Sequence, residues 1–599
     1  MRPIQVDFDA KGAMRGSGVY IPPERKVLKI VISVVVTIIA AGVLYYFMMP
    51  AMNPKDMQFY YYFGAVALTY VVATALTSKA FFRPEYVPYL KKQSIVPAVI
   101  VGILLVIALI GFISSAALFR SRSYAKLMTV EEQDFSDSVT DIKNITDFNG
   151  VPLIDRQAAE VLAGKSLGDL ASMGLESQFT VANSYSTQIN YHGAPYRVFP
   201  LGYGNIFKWL NNVRDGIPGY ITVNMNTQVA EFVKVEGGMK YSPAEHFNRL
   251  LKRHLRFNYP TYIFGTETLE IDENGTPYWV CEHIDKKVGL FGGNEVVGTV
   301  LVDAVTGECR YFTTEECAAG TGNDGTALGW LDGIYDADLL TQQYNYLGKY
   351  SNGFFNAYIF QSEVRSTTAG YSYLAMNDDV YMYTGVTSVT TDDSIIGFLL
   401  VNQRTKEASF YAQSGTTEAG AQGSAEGIVS DKKWKATFPL LINLDGEATY
   451  FMALKDSSNI IKSYAMVNVA QVGDAVRSPG DDDPSVASCL SAYISKLAAR
   501  DVILNINMTG KVAADEISGD DGGETAELQH VGGEITDIRS SVISGTTYYY
   551  VTFSDSDVYY ALSAAVYPEA ALLDVGDTVE LSYAESEGAI VSADIAEQS

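Results

Sequence analysis

Three long runs of uncharged, mostly apolar residues stand near the N-terminus of this 599-residue chain, at 30–49, 59–77 and 95–119. At about 1.5 Å of helical rise per residue, each run is long enough to cross a hydrocarbon layer of about 30 Å. A signal peptide would have a shorter apolar core than the first run and a better small-residue cleavage site after it. The pattern therefore predicts three spanning helices. None contains Asp, Glu, Lys, Arg or His, which argues against a transport path.

Beyond residue 150 the pattern changes to short alternating strands, and one strand-turn-strand arrangement recurs. Copies begin at Gly219, Gly298 and Gly397, and in each copy Val follows four residues later, Asp or Asn five later, and Thr eight later. A fourth, diverged copy ends at Asn468 and lacks the turn Thr. Asp, Asn and Thr side chains bond backbone amides in turns, and Gly307 accepts a left-handed conformation. The repeat therefore predicts related strand-turn-strand units.

A helix is predicted in front of each of the first three copies. Ser242 and Glu245 form a capping-box pattern, and apolar residues follow at helical spacing as far as Leu255. Arg156–Ala171 and Asp338–Tyr350 are the corresponding helices of the first and third copies. The sequence therefore predicts an α+β multidomain protein, in which each unit packs a helix on a small antiparallel sheet.

The second copy resembles a known family. A helix, then Asn274-Gly-Thr-Pro-Tyr-Trp279, then Val300-Leu-Val-Asp-Ala-Val-Thr-Gly-Glu308, is similar to the PepSY domain of bacterial extracytoplasmic proteins over about residues 242–313. The copies at 156–233, 338–411 and 425–470 diverge from it. The resemblance implies non-catalytic domains that restrain peptidases or modulate envelope partners. The chain also resembles large membrane-anchored envelope proteins of Gram-positive bacteria.

Charge is divided unevenly along the chain, whose net charge is −26. Residues 1–127 hold 14 Lys and Arg against 5 Asp and Glu, and the remainder holds 29 against 64. An acidic body repels phosphate backbones, so no nucleic-acid partner is expected. Lys and Arg concentrate in the N-terminal tail and in the loop between the second and third apolar runs, which places both in the cytoplasm. Three crossings then put the residues after about 120 outside the plasma membrane.

The C-terminal part contains two regions of different predicted structure. Residues 476–527 are predicted to form charged linkers around one helix, Ser488–Ala499. Residues 528–599 read as tyrosine-rich strands, whose order resembles a small OB-type barrel with a turn at Val575-Gly-Asp577 before the strand at 578–583. Because this region is acidic and is expected outside the cell, the tyrosines are expected to pack across the strands, and contact with a protein or glycan is the alternative.

One basic cluster stands out in the acidic body, on the helix predicted after the capping-box pattern: Arg249, Lys252, Arg253 and Arg256. Such a cluster is either a solvated face paired with nearby acids or a contact surface. In the second case it would dock on anionic lipid heads, on a wall polymer or on an acidic neighbouring domain.

Patterns for catalysis, cofactors and metals are weak. Gly320–Gly325 matches Gly-x-Gly-x-x-Gly but contains an acidic residue and lacks the flanking strand and helix. His246 and His254 are eight apart on the predicted helix, too far to share a metal ion. We therefore predict no catalytic residue, no cofactor and no metal. Cys309 and Cys317 could close a disulfide if the region is exported.

The leading hypothesis is a non-enzymatic, membrane-anchored envelope protein whose outer units scaffold or regulate a partner protein or peptidase. Its expected partners are the lipid bilayer and an envelope protein, and it could self-associate. The alternatives are a membrane subunit of a secretion or division complex, and a cell-wall-acting enzyme whose site assembles from distant residues. The predicted boundaries are 1–29 for a cytoplasmic tail, 30–119 for the spanning helices, 120–240, 241–320, 330–415 and 416–475 for four α+β units, 476–527 for linker and helix, and 528–599 for the barrel.

Overall fold

The computed structural model describes residues 22–135, 141–168, 170, 174–175, 177–376, 378–388, 394–480, 484–513, 515, 529–543, 546–554, 558–563, 567–583 and 590–595. Most of the predicted cytoplasmic tail and the second predicted linker lie outside these residues. The described chain runs from a group of apolar helices, through four larger sheets and one two-stranded sheet with their helices, to a closed barrel.

The first described helices carry the apolar runs: α1 (Lys26–Met48), α2 (Met57–Ser78), α3 (Val87–Gln93), α4 (Ile95–Ser115) and α5 (Ala117–Tyr124). Three of the helical segments, ending at Met48, Ser78 and Ser115, are long and apolar enough to cross a membrane. The third predicted run extends too far, because α4 ends at Ser115 and the extended backbone of Ala116 separates it from α5. Helix α2 packs against both α1 and α4.

Further helices cover the sheets: α6 (Arg156–Ser166), α7 (Ile206–Asn212), α8 (Leu251–Asn258), α9 (Thr314–Ala318), α10 (Ala337–Tyr350), α11 (Glu418–Gly427) and α12 (Val486–Ala498). Local capping explains where several begin. The Asp155 side chain accepts the Ala158 amide at the start of α6, and the Asp336 side chain accepts two amides at the start of α10.

Two short strands, β1 (Glu131–Gln133) and β2 (Asp141–Ile142), precede the first sheet and join later ones. The first sheet contains β3 (Phe179–Val181), β4 (Thr187–Tyr191), β5 (Ala194–Tyr203), β6 (Ile217–Asn224) and β7 (Ala230–Met239). It has the order β3-β5-β6-β7, with β4 also paired to β5. The second sheet is an antiparallel meander of β8 (Ile263–Ile271), β9 (Pro277–Val288), β10 (Gly292–Asp303) and β11 (Cys309–Thr313).

The third and fourth sheets each gain a strand from far upstream. The third unit contains β12 (Arg365–Thr367), β13 (Ser372–Met376), β14 (Asp379–Ser388), β15 (Ser394–Ile395), β16 (Gly397–Asn402), β17 (Ala408–Tyr411) and β18 (Gly415–Thr416). The fourth contains β19 (Lys435–Ala436), β20 (Leu440–Leu444), β21 (Glu447–Lys455), β22 (Ile461–Asn468) and β23 (Ala475–Arg477). Strand β1 pairs in parallel with β17, and β2 with β20. The predicted first unit, 120–240, therefore contains two strands that belong to the third and fourth sheets.

The last strands close a barrel in the order β24-β25-β26-β28-β27. Its members are β24 (Gln529–Ile543), β25 (Thr546–Phe553), β26 (Tyr559–Ser563), β27 (Thr578–Tyr583) and β28 (Ile590–Ile595). The barrel has its own small apolar core around Val551 and Leu581.

The predicted repeat is visible in the turns that follow β6, β10, β16 and β22. In each turn the Oδ1 atom of one Asp or Asn accepts the backbone amides two and three residues later, at 2.8–3.0 Å. These residues are Asn224, Asp303, Asn402 and Asn468. The residue four positions later has a positive φ in the first three copies: Gln228, Gly307 and Lys406. The shared side chain therefore specifies a turn, as the sequence predicted.

The repeated glycine also has one structural role. A Cβ atom on Gly219, Gly298 or Gly397 would lie 2.0–2.4 Å from a carbonyl oxygen of the neighbouring strand. Real Cβ atoms do not approach so closely, so each of the three strands needs glycine at this point.

The units share their cores. One cluster of buried apolar side chains, including Phe199, Trp279 and Phe451, extends through the first, second and fourth units and part of the third. A second cluster joins the second and third units and includes Leu301 and Leu399. Because these cores cross unit boundaries, the four units pack as one continuous body.

Candidate functional site at the ends of the apolar helices

The helix expected after the capping-box pattern begins later than predicted. Helix α8 starts at Leu251, and Glu245 is turned into the protein, where it is 1% exposed. Its carboxylate accepts hydrogen bonds from Tyr203 Oη at 2.6 Å and Trp209 Nε1 at 2.8 Å. The predicted capping box is therefore wrong, because these distant donors hold Glu245 in a turn.

Arg253 and Arg256, half of the predicted basic surface, are buried against the last turn of α1, at 6% and 4% exposure. Arg253 Nε donates to Tyr46 O at 3.0 Å, and its guanidinium lies 4.1 Å from the centre of the Tyr46 ring. Arg256 donates to Met49 O at 3.0 Å and to Tyr262 O at 2.6 Å. The last carbonyls of a helix lack intrahelical partners and carry its negative dipole end. The two arginines therefore cap α1.

The rest of the basic cluster does not form a free patch. Arg249 donates to the carbonyl of Val213 and is partly buried, and Lys252 alone of the four is exposed. Arg249, Lys252, Arg253 and Arg256 therefore do not form one exposed basic face, which both interpretations of the cluster had assumed. Most of its donors bind the chain's own backbone.

The connection between α1 and α2 contacts the same unit. Met52 N donates to Pro260 O at 2.7 Å, just beyond α8. Lys55 Nζ lies 2.6 Å from Asp285 Oδ1 of β9, in an ion pair about one-third exposed on each side. A pair so placed is partly screened by water and contributes about 0–1 kcal/mol. Its main effect is to fix the direction of the connection.

The hairpin between β9 and β10 reaches the end of α4. Leu290 N and Phe291 N both donate to Ser115 Oγ, at 3.0 and 2.9 Å. The Phe291 ring packs 5.7 Å from the ring of Tyr60 in α2 and 5.0 Å from that of Phe112 in α4. The second unit therefore contacts α1, α2 and α4.

Glycines allow this close approach on both sides. A Cβ atom on Gly111 would lie 2.4 Å from the Phe291 ring, and one on Gly292 would lie 2.0 Å from Tyr124 Oη. Gly102, in the same helix as Gly111, has open space instead. Small residues let apolar helices approach a neighbour closely, and here the neighbour is a hairpin.

Large exposed apolar side chains flank these contacts. Phe247 and Phe257 are more than half exposed, as are Phe207 and Leu210 on α7, where the neighbouring Trp209 ring lies 5.9 Å from that of Phe247. The ring of Phe257 lies 5.7 Å from that of Tyr45 in α1. We call these four side chains the α1-side patch.

A second patch, the α4-side patch, consists of Phe355, Tyr358, Ile359 and Phe360, which are 51–75% exposed. It is linked to the apolar helices through aromatic neighbours. Tyr358 Oη lies 3.2 Å from Tyr350 Oη, and the Tyr350 ring packs against Tyr124, whose hydroxyl donates to the carbonyl of Ser115. Exposed apolar patches of this kind mark a contact with lipid or protein.

The predicted disulfide is not formed. Cys309 and Cys317 are both free thiols. Cys309 lies opposite Val302 and faces the first core, whereas Cys317, on α9, is buried in the second core. Burial raises the pKa of Cys309 to about 11 and that of Cys317 to about 12. The two cores cover opposite faces of the second sheet, which separates the thiols.

Buried carboxyl groups hold the segment between the second and third units. Glu270 accepts the amides of Asp332 and Gly333, both at 3.0 Å, and Glu282 accepts the amide of Asp336 at 2.8 Å. Burial raises the pKa of Glu270 to about 7 and that of Glu282 to about 8. It also raises the pKa of Asp332 well above its usual value. These carboxyl groups bind the chain's own backbone.

Other candidate residues have structural contacts. His254 Nε2 lies 2.7 Å from Gly307 O, and His246 packs edge-on against Trp209. Among the residues that the structure describes, no group of three or more His, Cys, Asp or Glu could hold a metal ion.

The residues that join the body to the apolar helices were not recognised from the sequence. Two signals point to them in retrospect. Gly111 and Ser115 are small residues near the end of an apolar run, and Leu290 and Phe291 are apolar residues in a glycine-rich turn. Neither signal identifies the partner, because the contacting residues are about 175 positions apart.

No protein-family model matches this chain, and no curated protein matches it significantly.

Proposed function

We propose that this protein is a non-enzymatic, membrane-anchored envelope protein. Its PepSY-like units and OB-like barrel lie outside the plasma membrane, where they scaffold or regulate a partner protein or peptidase. The observation that carries the proposal is the attachment of the second unit to the ends of all three apolar helices.

This attachment uses main-chain groups rather than a flexible tether. Arg253 and Arg256 bind the terminal carbonyls of α1, and Ser115 of α4 accepts two amides of the hairpin. A body held in this way keeps a fixed height and angle above the bilayer, and the shared cores extend that fixed orientation to the other units. Such an arrangement suits a platform that presents surfaces to a partner at a defined distance from the membrane.

The α1-side and α4-side patches support a body seated at the bilayer surface. Both lie close to the ends of the apolar helices, and both are rich in phenylalanine and tyrosine. Aromatic side chains favour the interface between lipid and water. In this arrangement the bilayer itself covers the patches.

The outside placement can be tested with an exposed residue of the body. Asn323 is exposed, so Asn323→Cys should react with a membrane-impermeant maleimide in intact cells much faster than the native thiols, of which three are buried and Cys309 is half-buried. Labelling that appears only after lysis would overturn the placement.

The partner can be sought at a sheet edge, since strand addition is one way in which small sheets bind peptides. Strand β7 ends the first sheet, and Glu236 on it is exposed. A photo-reactive residue at Glu236 should cross-link to an envelope protein, whereas one at the exposed Lys496 on α12 should not. The cross-link should survive replacement of the three apolar helices by an unrelated anchor. Its loss would favour a subunit of a secretion or division complex, in which the helices carry the contact.

A further inference from the structure

A cavity of about 530 Å³ lies where the first, third and fourth units meet. Its walls include Arg197 and Gln188 from the first sheet, Tyr373 from the third, and Phe438 and Met452 from the fourth unit. This volume is within the range of sites that bind small molecules.

Most of the charge around the cavity is already paired. Three of the lining cations have acidic partners at 2.6–2.9 Å: Arg156 with Glu160, Lys435 with Glu426, and Lys455 with Asp155. Arg197 differs from them. Among the residues that the structure describes, no carboxylate lies within ion-pair distance of its guanidinium. The guanidinium of Arg197 therefore has no acidic partner among these residues, although its Cζ lies 6.0 Å from the centre of the Phe199 ring.

Arg197 is also the most deeply buried of these cations, at 4% exposure. Its Nε donates to Ser186 Oγ at 3.1 Å, and one of its Nη atoms donates to Ser186 O at 3.3 Å. Burial lowers the pKa of the guanidinium to about 10, so it remains charged at neutral pH. A buried charge without a counter-charge destabilises a fold, unless a bound ligand supplies that counter-charge.

A second donor lies beside it. Gln188 is directly opposite Arg197 in the register of β4 and β5 and is 6% exposed. Its Nε2 atom has no hydrogen-bond partner although it is buried. A buried unsatisfied donor is costly, and because Gln188 is part of the cavity wall, an acceptor on a bound molecule could satisfy this donor.

We propose that this cavity binds a ligand through a carboxylate, which accepts hydrogen bonds from the free guanidinium donors of Arg197 and from Gln188 Nε2. A carboxylate supplies two acceptor oxygens and one negative charge, which match the two donors and the single unpaired cation. The apolar side chains of Phe438 and Met452 and the ring of Tyr373 line the remaining space. The ligand therefore carries an apolar group next to its carboxylate, as a peptide C-terminus or a small aromatic acid does.

The test uses the full chain in detergent and is independent of the proposed scaffold role. The probes are N-acetyl-Ala-Phe with a free carboxylate, the same dipeptide as its C-terminal amide, phenylacetate, and inorganic phosphate. Binding is measured by isothermal titration calorimetry and by the shift in melting temperature. The free acid should bind at least about 30-fold more tightly than the amide, because the amide leaves the buried charge unpaired. Tighter binding of the dipeptide than of phenylacetate identifies a peptide C-terminus, and the reverse identifies a free organic acid.

Two variants separate the site from general stability. Gln188→Met removes the unpartnered donor at nearly constant volume, so it should keep or raise the melting temperature of the free protein. It should also weaken binding of the free acid by about 10-fold. Lys435→Met, at the exposed rim and already paired with Glu426, should change the affinity less than about 3-fold. Equal binding of acid and amide, preference for phosphate, no binding at millimolar concentration, or full affinity in folded Gln188→Met would overturn the proposal.

Discussion

Adding one methyl group to α4 tests the contact between the apolar helices and the body. In Gly111→Ala the new Cβ would lie 2.4 Å from a Phe291 ring carbon and 2.8 Å from a Leu290 methyl carbon, where ordinary contacts are 3.4–4 Å. The Phe291 ring and the Leu290 side chain must therefore move by about 1 Å, and we expect the hairpin tip that carries both to retreat with them. The two hydrogen bonds to Ser115 Oγ, now 2.9 and 3.0 Å, would lengthen beyond bonding distance.

Each lost hydrogen bond is worth about 0.5–1.5 kcal/mol, so the tip should lose about 1–3 kcal/mol of local stability. This corresponds to a rise of about 5–150-fold in amide exchange at Leu290 and Phe291. Hydrogen-exchange mass spectrometry on the full chain in detergent, with a peptide that covers residues 286–296, measures it.

Gly102→Ala is the matched control. It adds the same methyl group to the same helix, gains the same helix propensity, and has open space at its Cβ. Exchange at the tip should therefore be unchanged in Gly102→Ala. The docking of the hairpin on α4 would be refuted if the exchange rate at the tip of Gly111→Ala equalled that of the wild type. It would also be refuted if exchange at the tip were accelerated equally in both variants.

Three further predictions concern buried polar groups. Arg256→Met should lower the free energy of unfolding by about 2–4 kcal/mol, because the backbone carbonyls that Arg256 binds lose a charged donor. The control Lys252→Met, at an exposed position, should change the free energy of unfolding by less than about 0.5 kcal/mol. Alkylation of the denatured, unreduced protein should modify all four cysteines, including Cys309 and Cys317. Stability should fall as the pH rises from about 4.5 to about 7, because folded Glu270 keeps its proton up to about 7 whereas the unfolded chain loses it near 4.5. This change amounts to at most about 1.4 kcal/mol per pH unit.

Urea unfolding measures the free energies of the arginine and lysine variants, and intact mass counts the alkylated cysteines. The melting temperature across the pH range measures the effect of Glu270. Equal unfolding free energies for Arg256→Met and Lys252→Met would remove the capping role of Arg256. A mass that corresponds to only two alkylated cysteines would show that the other two form a disulfide. Glu270→Gln should flatten part of the pH dependence, and an unchanged slope would show that another group titrates.

The sequence by itself determined the features that depend on near neighbours. The apolar runs predicted the three long helices, because length and hydropathy alone decide whether a segment can cross a membrane. The spacing from Gly298 to Thr306 predicted the repeated turn, because Asp303 binds amides only two and three residues away. The alternating pattern likewise indicated antiparallel sheets with helices before most of them.

Only the tertiary structure decided what the charged and polar side chains do. Arg256 looked like a surface residue on a short basic helix, yet its partner Met49 lies 207 positions upstream. Glu245 matched a local cap, but Trp209 and Tyr203 offered it stronger buried partners. The contacts of a side chain that bonds its own turn can be predicted from residue spacing. The partners of a buried charge are set by the distant groups that folding brings next to it.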